Sequence, residues 1–103
     1  MSRVTFEGKL LSETVVETFD FTSRLTSAET ISTAAVTSVV YSGTDASPSA
    51  IVSGAASISG KKVTQKVTGG LIGVTYLLKC TITTSLGQTL ALSAYLVVVP
   101  EGA

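Results

Sequence analysis

From Val74 to Thr84 apolar and polar positions alternate. Val74, Tyr76, Leu78, Cys80 and Ile82 fall on one face, and Thr75, Leu77, Lys79, Thr81 and Thr83 on a second, mostly polar one. A period of two marks a half-buried β-strand. From Thr89 to Val99 the same period sets Leu90, Leu92, Ala94, Leu96 and Val98 against Thr89, Ala91, Ser93, Tyr95, Val97 and Val99. The connection "SLGQ" (85–88) is short and contains a glycine, so the two runs predict a long β-hairpin with one buried face.

The pattern continues upstream. In "VVETFDFT", Val15, Phe19 and Phe21 share one side, and Val16, Thr18, Asp20 and Thr22 the other. "TAAVTSVVY" (33–41) is a β-branched strand ended by the turn-rich "SGTDASPS", which contains Pro48. "AIVSGAASISG" predicts one or two short strands broken at Gly54 and Gly60. "KKVTQKV" sets Val63, Gln65 and Val67 against Lys62, Thr64 and Lys66 before a "TGG" turn. Only "SRLTSAETIS" (23–32) could wind into a helical turn, and it reads best as a loop crossing between sheets. About seven strands at spacings of roughly 8–12 residues predict an all-β fold, a single antiparallel β-sandwich of immunoglobulin-like architecture. The sandwich is expected over residues 13–99, with 1–12 an N-terminal arm or extra edge strand and 100–103 a C-terminal tail. The cysteine pair and tryptophan that pin antibody domains are missing, since the chain has one Cys and no Trp.

Composition adds an expectation of assembly. Charged residues make up 14% of the chain, against the usual quarter. Serine and threonine fill 30 positions, which suits strands and turns better than helices. A mean hydropathy of +0.51 is high for a small monomer and implies surface hidden against other subunits. Seven basic and seven acidic residues cancel, so no net field recruits nucleic acid or an acidic membrane. The apolar C-terminal region is interrupted by Lys79, Gly87 and Gln88, and contains no run of about 20 apolar residues that a membrane span would need. "MSRVTFEGKL" carries charges where a secretory signal has its apolar segment, so synthesis in a reducing cytoplasm is expected.

Residue types suited to catalysis are scarce. Histidine, the commonest general base and metal ligand, is absent. The single Cys80 therefore supports neither a zinc site nor a cysteine–histidine nucleophile, and its place between Leu78 and Ile82 reads as a buried, inert thiol. Glu13 and Glu17 share one strand parity and Asp20 takes the other, so they form no acid/base pair. Asp45 sits in a turn, where a carboxylate usually binds its own backbone. "TGGLIG" matches no phosphate or dinucleotide loop. No enzyme activity, catalytic residue, cofactor or metal site is expected. Lys61, Lys62 and Lys66 form the densest basic group. They read either as an edge strand guarded by lysines or as a contact to an unlike surface of a neighbouring subunit.

Two stretches, "FDFTSRLTSAETISTAAVT" (19–37) and "VTGGLIGVTYLLKCTITTSLGQTLALSAYLVV" (67–98), resemble a family of small immunoglobulin-like virion proteins of tailed bacteriophages, of fibre-tail adaptor or neck type. The matching positions are Asp20, Phe21, Arg24, Leu25, Glu29, Thr30, Ile31, Gly69, Gly70, Gly73, Tyr76, Thr84 and Gly87. Phe21 stands where relatives often carry tryptophan, and residues 1–12 lie outside the resemblance. At these positions Arg24 is expected to pair with Asp20 or Glu29. Tyr76 is expected to bury its ring and send its hydroxyl to a loop carbonyl.

The resemblance implies a non-enzymatic structural component of a tailed-phage virion, made in the host bacterial cytoplasm, most simply a neck or tail-fibre adaptor protein. A capsid decoration (cement) protein is the nearest alternative. A free-standing module binding carbohydrate or a host surface is another, though the chain offers no Trp and only Tyr41, Tyr76 and Tyr95 as platforms. The expected partners are other virion proteins (neck, fibre or capsid subunits), in multiple copies per particle, with no nucleic acid and no membrane. Val4, Phe6, Leu10 and Leu11 of the arm, together with Lys61, Lys62 and Lys66, are the expected partner interface; Asp20, Arg24, Tyr76 and Cys80 are expected to be structural.

Overall fold

In a computed structural model, residues 3–5, 9–10 and 13–99 are described. Six strands form two antiparallel three-stranded sheets. These are β3 (Thr14–Asp20), β4 (Ile31–Ser42), β5 (Val52–Ser59), β6 (Lys62–Thr68), β7 (Thr75–Thr84) and β8 (Thr89–Val99). One sheet runs β4-β7-β8 and the other β3-β6-β5. Two short pieces, β1 (Arg3–Thr5) and β2 (Lys9–Leu10), lie parallel to β8 on its far edge. Among the described residues the only helical elements are single 3₁₀ turns at Thr22–Arg24 and Pro48–Ile51.

This is the strand order of an immunoglobulin-like sandwich, in which the second, fifth and fourth strands form one sheet and the third, sixth and seventh the other. The N-terminal pieces depart from it. They join the last strand instead of flanking β3, and their pairing is parallel.

Both inner faces follow the sequence period. Phe19, Phe21, Val63 and Val67 of one layer meet Tyr76, Leu78, Cys80, Ile82, Ala94, Leu96 and Val98 of the other. Burying each large apolar side chain contributes about 1.5–3 kcal/mol, which makes this layer the main favourable term. The predicted hairpin is β7–β8, in register from Thr75 opposite Val97 to Thr83 opposite Thr89. Its turn is closed by Gly87 N–H donating to Thr84 O at 3.0 Å, with Gly87 at φ +80°. That angle lies in the left-handed region, which glycine adopts without a Cβ penalty.

The "AIVSGAASISG" segment forms one strand with an irregularity between Ser53 and Ser57. The bulge frees carbonyls from the ladder. The side-chain amide of Gln65, buried in the core, reaches Ser53 O at 3.0 Å, Gly54 O at 3.2 Å and Lys66 O at 3.0 Å. A polar residue on an otherwise apolar face thus has a structural cause: it satisfies backbone groups that a bulge leaves unpaired.

Candidate docking surfaces

A sandwich presents its edges and its two outer faces to partners, and each is built differently here. The β8 edge is covered. Arg3, Val4 and Thr5 lie opposite Ser93, Ala94 and Tyr95, and Lys9 and Leu10 lie opposite Val98 and Val99. Phe6 and Leu11 lie outside the described residues. Lys9 anchors the arm: it is 1% exposed, and its ammonium donates to Gly69 O at 2.9 Å. Further along β8, the Arg24 guanidinium donates to Ala91 O over 3.4 Å. Arg24 and Asp20 line a cleft of about 280 Å³ between β3 and β8, together with Phe19 and Leu92.

The expected partners of Arg24 are engaged elsewhere. Asp20 accepts the Thr22 N–H at 2.9 Å. Bonds from the Thr22 hydroxyl and N–H, with a smaller contribution from Lys62, hold the Asp20 carboxyl below its ordinary pKa. Glu29, fully buried, accepts the Thr84 hydroxyl and the Thr26 N–H. Glu29 N–H in turn donates to Thr26 O, so Glu29 and Thr84 pin the crossover loop to the end of β7. Arg24 ties the start of the loop to β8 without pairing with Asp20 or Glu29. Sequence reading gave Glu29 no such role, because its partner lies 55 positions away.

The three lysines separate into two groups. The expectation of an edge strand is corrected: β6 is the middle strand of its sheet, paired to β3 and β5 on both sides. Lys61 precedes it in the turn, and its ammonium donates to Thr26 O at 2.9 Å and Ser27 O at 3.3 Å, holding the crossover loop. Lys62 and Lys66 point outward and are exposed. Lys62 lies opposite Asp20, and Lys66 lies opposite Val16, an apolar residue 60% exposed on the same face.

Tyr76 ties one end of the sandwich together. Its ring is fully buried, its hydroxyl donates to Asp45 Oδ2 at 2.7 Å, and it accepts the Leu71 N–H at 2.8 Å. The acceptor is thus a carboxylate, where a loop carbonyl was expected. Asp45 also accepts the Ser47 N–H at 2.8 Å, the local turn bond its position predicts. The Tyr76 hydroxyl and then the Ser47 N–H keep the Asp45 carboxyl below its ordinary pKa. Burial, followed by the Asp45 carboxylate, pushes the Tyr76 phenol up to about 12. Gly70, at φ +96°, lies over this ring, and a Cβ there would stand 2.7 Å from Val98 Cγ2. Cys80 is fully buried as its alternation implies, and burial pushes its thiol up to about 12. Among the described residues no three Cys, Asp or Glu side chains converge as metal ligands.

These features define a small β-sandwich module braced by polar tethers at both ends. Residues 9–97 match the family described as podophage GP4 fiber-tail adaptor protein gp77, and the chain belongs to that family. The match begins at Lys9, so the anchored end of the arm lies inside it. No curated protein matches the chain.

Proposed function

We propose that the protein is a non-enzymatic structural adaptor that holds a tail fibre to the tail of a podophage virion. Family membership over residues 9–97 carries this reading. The outer face of the β3-β6-β5 sheet supports it, with exposed Lys62 and Lys66 beside the exposed apolar Val16. Such a face suits an acidic, partly apolar patch on a neighbouring virion subunit. The arm (Val4, Phe6, Leu10 and Leu11) supplies a second contact. Lys61 is spent within the fold and does not belong to the docking set.

A phage carrying a nonsense codon in this gene tests the reading. Electron microscopy should show filled heads and tails without fibres, and supplying the wild-type chain in trans should restore the fibres. Particles that keep their fibres, or that lose head stability instead, would overturn the adaptor role.

A further inference from the structure

The two sheets have four strand edges, and three of them are guarded in ways known to prevent strand pairing between molecules. β3 carries Glu17 and Asp20, with Glu13 just before it. β5 is broken by its irregularity at Ser53/Ser57 and by Gly54. β8 is covered by β1 and β2. The fourth edge, β4, carries no charge, break or covering strand among the described residues; β5 and the Pro48–Ile51 turn approach it from the other layer but form no ladder with it. Strand β4 is 12 residues long and contains no charge, proline or glycine. Among the described residues its only ladder partner is β7, and its irregularities fall at its ends, leaving Thr33–Val40 regular. A long, uncharged, β-branched edge of this kind pairs with another strand unless something covers it.

We propose that β4 pairs antiparallel with β4 of a second copy about a two-fold axis at Thr37, which joins the two β4-β7-β8 sheets into one. The sequence of β4 is complementary to itself in that register. Ala35 falls opposite Val39, Ala34 opposite Val40, Val36 opposite Ser38, and Thr33 opposite the half-exposed Tyr41. Small residues meet large ones and no like charges face each other, as an isologous strand pair requires. Main-chain hydrogen bonds supply the affinity, and this complementarity selects the second copy over other strands. The proposal stands apart from the adaptor reading and can fail without it.

The full chain at about 100 µM, a concentration that reveals micromolar dissociation constants, should sediment as a dimer. Thr37→Cys should cross-link rapidly under oxidised glutathione, because directly opposed Cβ atoms lie about 4.5–5.5 Å apart. Ala35→Cys alone should not cross-link, whereas Ala35→Cys combined with Val39→Cys should. Cys80, buried, stays silent in this assay. Thr37→Lys opposes two ammonium groups on the axis and should weaken the dimer at least about tenfold. Lys79 is the β7 neighbour of Thr37, so the uncharged Thr37→Cys keeps the test valid if Thr37→Lys fails to fold. A monomeric chain, or a Thr37→Cys variant that cross-links no faster than Ser57→Cys, overturns the proposal. So does a dimer indifferent to Thr37→Lys, or a β4 edge that pairs only with a fibre protein.

Discussion

The Tyr76 hydroxyl, at the start of β7, donates to the Asp45 carboxylate 31 positions upstream and accepts the Leu71 N–H, so it joins the loop after β4 to the connection before β7. Both connections run between the two sheets, so the bond fastens the layers at one end. Tyr76→Phe leaves the Asp45 oxygen and the Leu71 N–H without this partner. A loss of about 1–3 kcal/mol in urea unfolding is expected, the cost of stranding partly buried polar groups. An unchanged midpoint would show that water replaces the hydroxyl freely.

Acid should expose the same tether. The folded Asp45 and Asp20 carboxyls lie below their ordinary value of 3.8, so the unfolded chain takes up protons first as pH falls. Their contribution is complete above that value and disappears as pH drops through the folded pKa. Asp45→Asn should therefore flatten the acid limb of a stability–pH profile. A limb of wild-type slope would place the titrating group elsewhere.

Alkali works with the opposite sign. Tyr76 and Cys80 ionise near 10 and 9 when unfolded but near 12 when folded. Their neutral forms favour the fold, and that share is lost as pH rises from about 9 towards 12. Native Cys80 should react with a thiol reagent only at the rate of global unfolding. Cys80→Ser should cost about 1–3 kcal/mol, because a hydroxyl in this apolar layer lacks a partner. Rapid labelling of the native chain would contradict the buried register.

Glu29→Ala removes the acceptor of both the Thr84 hydroxyl and the Thr26 N–H at a fully buried site. A loss of about 1–3 kcal/mol is expected, with hydrogen exchange quickening first in residues 24–30. Uniformly faster exchange across the sandwich would show that the loop does not open as a local unit.

Strand positions were largely legible in the sequence, because each strand buries one face and the period of two survives without tertiary information. Val74 to Ile82, Val63 to Val67, and Phe19 with Phe21 all lie inward as their alternation implies. Polar tethers were less legible. Glu29 to Thr84, Lys9 to Gly69 and Tyr76 to Asp45 join residues far apart in the chain, and nothing local specifies the partner. Strand order also escaped: β6 resembles a lysine-guarded edge in sequence, yet it is central because β3 and β5 pair to its two sides. Gln65 offered the one usable clue, an amide on a core face, which signals a backbone irregularity nearby.

Cryo-electron microscopy of the intact virion tests the adaptor role most directly. Density for this sandwich should lie between the tail and the base of each fibre, with Lys62 and Lys66 facing an acidic surface of a neighbouring subunit. Density on the capsid shell, or none in the particle, would contradict the account.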